Sequence, residues 1–551
     1  MLSRRRINLI IFIFSFIFFL LALKVFYIQF FEGQKLFAEA SAQRISTAKM
    51  EKSRGQILDK NFIPFTSRTT KTSVVLEPLL LRGKGDLILK LSNALKLDFG
   101  SLKREIEFKK APILIDIDEE SKNQALGLKT KGVSLLNSLQ RYGQASVLTH
   151  VLGYLNQADQ NGASGLEKSY ENILKECGED SLRVVTDAND NILQGIGYRI
   201  IKSGDLKKEL NLKLTIDYHI QKKVEDIMKK NNLTGAVVVE DVNTGNIAAM
   251  ASMPDFDQND VGKYLQSPKN ELFNRAVASY NIGSIFKIID VAEALESGVS
   301  LDNNYLCTGV LKLGDREFRC SSFENGGHGY IGFSDAFAKS CNSYFIDLGL
   351  KLGYQKLLTM ADKFGLGKIT GLRSQGVDEA SGNLPPIKHY YTDGDIANMS
   401  IGQGGIMTTP VQIANLVATV ANGGIKNQVN IVDSIIDENG KEVKRIRKDG
   451  WERVISKSTS DRIRSLMEEV VTSGTGTKAK PDGILGAGGK TGSAETGLYI
   501  NGEKVVHAWF AGYFPSSAPK YSVAVFVENG KSGGQAAAPI FKEIAEACSK
   551  E

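Results

Sequence analysis

Apolar and polar positions follow different rhythms in different parts of this chain. From Ile7 to Leu23 the apolar residues run almost without a break (INLIIFIFSFIFFLLAL), and KVFYIQFF extends the run with aromatics. That length reaches the roughly 20 residues that span a bilayer as a helix, and Lys24 has a stem long enough to carry its charge to the interface. Arg4, Arg5 and Arg6 precede the run. The excess of positive charge on cytoplasmic flanks therefore predicts a cytoplasmic tail over 1–6, an anchor over 7–29, and the rest of the chain outside the cytoplasm. The competing reading is a cleaved signal peptide. Against it, the run is longer than a signal core, and the nearest small-x-small pair, Ala40 and Ala42, lies too far downstream.

Residues 30–210 mix short helical and strand signals with polar stretches and hold no obvious catalytic cluster. Near 210 the texture changes. LKLTIDYHIQKKVEDIMKK reads as a strand running into a helix, and GAVVVEDVNTGNIAAMASMP as two strands around a turn at Asn243-Thr244-Gly245. Helical patterns then dominate to about residue 480. Strand patterns return in GGKTG, VHAWFAGYF and YSVAVFVE, and a helix follows from about Pro539. A sheet assembled from both ends of a segment, with helices between, predicts an α+β domain over 211–551.

Composition adds limits. The 551 residues are 42% hydrophobic and 24% charged, as in an ordinary globular protein, and the chain is long enough for two or more domains. The net charge of +6 is spread along the chain without a dense basic tract, so nothing points to nucleic acid. Five cysteines (Cys177, Cys307, Cys320, Cys341, Cys548) form no CxxC and no Cys/His pattern with zinc spacing, so no metal is expected. Cys307 and Cys320 fit a disulfide and a pair of buried free thiols equally well.

Candidate chemistry starts in ASYNIGSIFKIIDVAEALESG, residues 278–298, where Ser284 and Lys287 open an otherwise greasy helix. A spacing of three places the two on one helical face, within side-chain reach. Free N–H groups at a helix start favour a developing oxyanion. Ile285, Phe286, Ile288 and Ile289 would desolvate Lys287 and lower its pKa towards that of a usable base. Alone, the pair is more often an N-cap serine followed by a surface lysine. Two further motifs change this. KSCNSYF supplies Ser340-Cys341-Asn342 and GGKTGSAET supplies Lys490-Thr491-Gly492. In this order, SxxK, SxN and KTG form the signature of penicillin-recognising serine enzymes.

The chain resembles the class B penicillin-binding proteins, monofunctional peptidoglycan D,D-transpeptidases with one membrane span, over nearly its whole length. RGQILDKNFIPF (Arg54, Gly55, Asp59) and GASGLEKSYENIL (Gly165, Leu166, Glu167) are similar to that family's pedestal motifs. NTGNIAAMASMPDFDQN, FNRAVASYNIGSIFK, GHG, SIGQG and TTPVQIA resemble landmarks of its catalytic part. Three departures are small: the usual glycine after the pedestal leucine is missing, Cys341 fills the middle of SxN, and Ser493 follows KTG. The resemblance implies a five-stranded antiparallel sheet flanked by helices, a helical subdomain, and a pedestal over 30–210. It implies Ser284 as nucleophile, Lys287 as base, Ser340 as proton relay and Asn342 as holder of Lys287 and the substrate amide. Lys490, Thr491, Gly492 and Ser493 would bind substrate, with Ser284 and Ser493 N–H groups as the oxyanion hole. Gly492 is expected to let substrate lie against its strand. No cofactor is implied.

The implied partners are D-Ala-D-Ala stem peptides, β-lactams, the cytoplasmic membrane, and a SEDS-type glycan polymerase with other cell-wall synthesis proteins. A D,D-carboxypeptidase shares the same chemistry with water as acceptor. A β-lactamase lacks support, because no Glu-x-x-Leu-Asn or Tyr-Gly-Asn supplies a deacylating base. A β-lactam sensor would carry more spans, and a non-catalytic scaffold would not need intact motifs. The five histidines are scattered and Gly-x-Ser-x-Gly is absent, which disfavours a Ser-His-Asp hydrolase; His328, in GHG, reads as a packing or turn residue.

Overall fold

The computed structural model describes residues 4–33, 36, 45–49, 54–109, 111–128, 130–143, 146–175, 179–185, 198–203, 209–300, 304–483, 486–500 and 502–549. Their apolar N-terminal stretch is helical, and Ile7–Glu32 is long and apolar enough to cross a membrane. The chain separates into two compact units. One comprises residues 1–53, 69–140 and 178–207, and the other 54–68, 141–177 and 208–551.

In the first unit, Thr69–Leu76 is the centre of a three-stranded antiparallel sheet between Ile113–Ile117 and Val133–Gln140. Val74 and Leu76 bury one face against Leu91, Leu102 and Ile106 of the helices Gly85–Ala94 and Phe99–Phe108.

The second unit is built on a five-stranded sheet. We number its elements α1 (Tyr218–Lys230), β1 (Gly235–Asp241), β2 (Ile247–Met253), α2 (Lys287–Glu296), α3 (Asn342–Leu352), α4 (Pro410–Ala421), α5 (Lys457–Thr472), β3 (Gly488–Ile500), β4 (Glu503–Phe514), β5 (Tyr521–Val527) and α6 (Ala538–Cys548). The sheet order is β2-β1-β5-β4-β3, antiparallel throughout. The α+β class and the five-stranded antiparallel sheet expected from the sequence are therefore present. Side chains on a strand alternate between faces, so Val237, Val239, Val523 and Val525 meet α1 and α6 while Ala236, Val238, Ala524 and Phe526 meet α2 and α4. Every residue of α4 is buried, which explains its all-round apolar sequence, and Thr409 with Gln412 closes its N-terminus as a capping box. The turn expected at Asn243-Thr244-Gly245 joins β1 to β2, with Asp241 Oδ1 accepting from the Asn243 and Thr244 N–H groups at 3.0 Å.

The strand Leu210–Leu214 lies in a second sheet, between Val432–Asp437 and Ile57–Leu58, with Glu442–Arg445 at the edge. These middle strands interrupt a stretch that the pattern assigned to helices. The pedestal-like motifs sit here too. A Cβ on Gly55 would collide with the Leu210 carbonyl oxygen. Asp59 Oδ1 accepts from Asn61 and Ile63 N–H at 2.7 Å, and its Oδ2 accepts from Tyr218 N–H at the start of α1. Glu167 is fully buried and is neutralised by Arg54 at 2.6 Å and Arg141 at 2.7 Å, with the Tyr142 hydroxyl donating to it. A carboxylate removed from water persists only with such pairing.

Candidate active site

Gly283–Phe286 is a single 3-10 turn, and the α-helix α2 begins only at Lys287. The sequence expected one continuous helix from Ser284. A 3-10 turn brings positions three apart into register. Glycines make this turn possible. Gly283 has φ +61°, and a Cβ there would lie 2.7 Å from the Ser493 carbonyl oxygen; its N–H donates to Gly402 O at 2.9 Å. A Cβ on Gly492 would lie 2.9 Å from Ile282 O and 3.1 Å from Ile285 and Trp509 side-chain carbons. Gly492 therefore makes room for the nucleophile's own turn.

Ser340 is the meeting point of the three motifs. It follows a short helix, Phe333–Ala338, and takes φ +55°, a left-handed conformation that turns the chain sharply into α3. Its Oγ accepts from Lys287 Nζ at 3.1 Å and from Lys490 Nζ at 2.9 Å. Lys287 Nζ also donates to Ser340 O and Asn342 Oδ1, each at 2.8 Å. Asn342 Nδ2 donates to Arg319 O at 3.0 Å, which fixes which end of the amide faces the lysine. Thr491 and Thr475 share a hydroxyl–hydroxyl bond of 2.7 Å, and Gly533 N–H donates to Ser493 Oγ at 3.2 Å.

Both lysines are fully buried. Burial pushes Lys287 down to about 8, with nearby Cys341, Cys320 and Asp290 opposing the shift. Burial, and then the charge of Lys287, pushes Lys490 well below the usual lysine range. The two amines flank one hydroxyl, so their titrations are coupled. Asp290, one turn after Lys287, has a fully buried carboxyl with no hydrogen-bond partner, and burial raises it well above the carboxylate range. Nothing in the motif spacing singled it out.

Ser284, Ser340, Asn342, Thr491 and Ser493 line one cleft of about 540 Å³. Of the eight expected site residues, these five face the cleft, Lys287 and Lys490 reach Ser340 from behind it, and Gly492 supports the turn. Arg319, Thr475, Lys478 and Gln535 also line it, and no sequence motif marked them.

Behind the SxN segment the structure gathers groups that the sequence left apart. Cys307, Cys320 and Cys341 are buried free thiols, so the Cys307–Cys320 disulfide is not formed. Their sulfurs and a ring nitrogen of His328 all lie within 4.8 Å of one another. Spacings of 13, 8 and 13 residues match no familiar zinc pattern, which is why the cluster escaped sequence reading. Cys177 lies outside the described residues.

A half-buried serine one turn from a buried amine, with a second serine bridging two amines, defines an active-serine acyltransferase of the penicillin-recognising kind. Comparison with known proteins agrees. Residues 235–546 match the penicillin binding protein transpeptidase domain. Stage V sporulation protein D of Bacillus subtilis is 31% identical, over 98% of this chain and 85% of the relative. Peptidoglycan D,D-transpeptidase FtsI of Escherichia coli K12 is 28% identical, over 95% of this chain and 87% of the relative. The penicillin G acyl-enzyme complex of penicillin-binding protein A from M. tuberculosis is 27% identical, with a TM-score of 0.62 over 75% of this chain and 94% of that one. The chain belongs to the penicillin-binding protein transpeptidases, and within them to class B.

Proposed function

We propose that Ser284 carries the acyl group in this D,D-transpeptidase. The observation that carries the reading is the convergence of Lys287 and Lys490 on Ser340 Oγ, at 3.1 and 2.9 Å, beside a cleft that Ser284 lines.

Substrate enters with its terminal carboxylate towards Lys490. The anion favours the ammonium form of Lys490, and repulsion between the amines leaves Lys287 neutral. Ser284 Oγ then attacks the carbonyl carbon of the penultimate D-Ala and gives its proton to Lys287 Nζ. The N–H groups of Ser284 and Ser493 receive the oxyanion, a device worth about 3 kcal/mol per donor. As the C–N bond breaks, the proton passes through Ser340 Oγ to the leaving nitrogen of D-Ala. The amine of a neighbouring stem peptide attacks the resulting ester, forming the cross-link amide and returning the proton to Ser284. A β-lactam mimics the first half of this cycle. With water as acceptor the same groups give a D,D-carboxypeptidase.

The apolar N-terminal helix supports a single-pass membrane protein whose residues beyond about 30 lie outside the cytoplasm, with 30–210 as pedestal and 211–551 as the catalytic part. A SEDS-type glycan polymerase in the same membrane is the expected partner.

The test is covalent labelling. Fluorescent penicillin should attach stably to the wild-type chain at Ser284, and Ser284→Ala should carry no label. Labelling of Ser284→Ala, or rapid turnover of penicillin by the wild type, defeats the assignment.

A further inference from the structure

Four potential ligands meet beside the cleft from four separate segments. Cys307 ends the strand Tyr305–Cys307, which pairs antiparallel with Gly329–Ile331, so His328 falls just off the partner strand's start, beside Cys307. Cys320 is fixed by its N–H donating to Gly309 O at 2.8 Å. Cys341 is the N-cap of α3. Gly326 and Gly327, at φ +78° and +95°, form the turn that presses His328 inward; a Cβ on Gly327 would meet the Thr308 and Gly309 backbone.

Three of the six ligand–ligand distances match one geometry, and all six lie within 4.8 Å. A tetrahedral zinc with bonds of about 2.3 Å to sulfur and about 2.05 Å to nitrogen sets its ligand atoms about 3.8 Å apart for S···S and about 3.6 Å for S···N. In the structure Cys320 Sγ–Cys341 Sγ is 3.8 Å, and His328 Nδ1 lies 3.5 Å from both Cys307 Sγ and Cys320 Sγ. Ser322 Oγ lies 3.1 Å from Nδ1 and Ser343 Oγ 3.9 Å from Cys307 Sγ. Cys307, Cys320 and Cys341 are all buried residues, and Cys320 also borders the cleft. Three thiols and an imidazole form a soft, nitrogen-containing donor set that suits zinc far better than magnesium or calcium.

We propose that Cys307, Cys320, His328 and Cys341 bind one zinc ion and that this ion fixes the segment carrying Ser340 and Asn342. Binding expels the three thiol protons to solvent and leaves an S₃N site with a net charge of −1. The ion ties Cys341, which sits between Ser340 and Asn342, to Cys320, which follows the Arg319 carbonyl that holds the Asn342 amide. It thus positions the SxN segment and touches no substrate; this second half rests on the active-site reading above.

The test uses the full chain, purified in detergent without chelator. Elemental analysis should find about one zinc per chain, and removing it should lower Tm, with recovery on adding zinc back. Cys320→Ser and His328→Ala should drop zinc content below about a tenth of an equivalent, whereas His328→Cys, which keeps four ligands, should retain the ion. Should these variants fail to fold, Co²⁺ titration of reduced, stripped wild type should still give the intense visible absorption of tetrahedral cobalt thiolate. Wild type that takes up neither zinc nor cobalt when reduced would overturn the proposal, as would stoichiometric iron or a Cys320–Cys341 disulfide in chain purified anaerobically. Metal content is read without substrate, so it stands or falls separately from penicillin labelling. Stripped enzyme that acylates at the wild-type rate would refute the positioning role.

Discussion

The paired lysines set a pH dependence opposite to that of a lone lysine base. A single amine that had only to be neutral would work better as pH rises. Here capture of a carboxylate needs a proton on the pair while attack needs a vacancy, so the productive form holds one proton. That form is lost as Lys287, which burial brings down to about 8, gives up its proton. The fraction still holding it is about ten in eleven at pH 7, half at pH 8 and one in eleven at pH 9, so the second-order acylation rate should fall about tenfold between pH 7 and pH 9. Stopped-flow acylation by a fluorescent penicillin, at concentrations well below saturation, measures this rate. Ser284→Ala corrects for hydrolysis of the drug, and thermal melting at each pH guards against unfolding. In Lys490→Met the fall should vanish, because Lys287 then titrates alone, although the absolute rate will be low. A wild-type rate that climbs from pH 7 to pH 9 would show that Lys490 need not be charged, and the shared-proton mechanism would be wrong.

Gly492→Ala places a methyl 2.9 Å from Ile282 O and should shift the nucleophile's turn, costing about 1–3 kcal/mol of stability and most of the acylation rate; melting and labelling measured together check it, and a wild-type rate would contradict the packing argument. Glu225 is fully buried, and burial raises it to about 7, so the folded chain binds a proton that the unfolded chain releases near its ordinary 4.5. Stability should therefore decline as pH rises from 4.5 to 7, and Glu225→Gln, which keeps an oxygen for Leu148 N–H and Gln221, should gain up to about 3 kcal/mol above pH 7 in denaturant unfolding. A variant no more stable at pH 8 than at pH 5, relative to wild type, would refute this. A periplasm-active reporter fused near residue 210 should be active, and activity only of a cytoplasmic reporter would invert the proposed orientation.

The catalytic motifs were legible because chemistry fixes their residue types and short spacings. Strands β1, β2, β4 and β5 were legible because apolar residues crowd them. Other features come from pairings that no local pattern records. Ile57–Leu58 joins Leu210–Leu214, and Arg54 joins Glu167, across more than a hundred residues, so residues 54–68 and 141–177 belong to the same compact unit as 208–551. Asp290 read as one polar position on a helix until the structure showed it buried and unpartnered. The cysteine–histidine cluster was invisible for the same reason: its members are separated by strands and turns whose return paths only the fold reveals.

The order of the central sheet also sets a timetable. β1 ends at Asp241, yet its neighbour is β5, which starts 280 residues later at Tyr521. The Lys490 strand joins the rest only through β4 and β5. Ser284 thus emerges 243 residues before the sheet beneath it can close. At about 5–20 residues per second that is a wait of roughly 10–50 s, with β1 and β2 presenting an open edge. A newborn chain is consequently inert towards substrate and drug alike throughout that wait, and during it depends on whatever shields unpaired strands from one another.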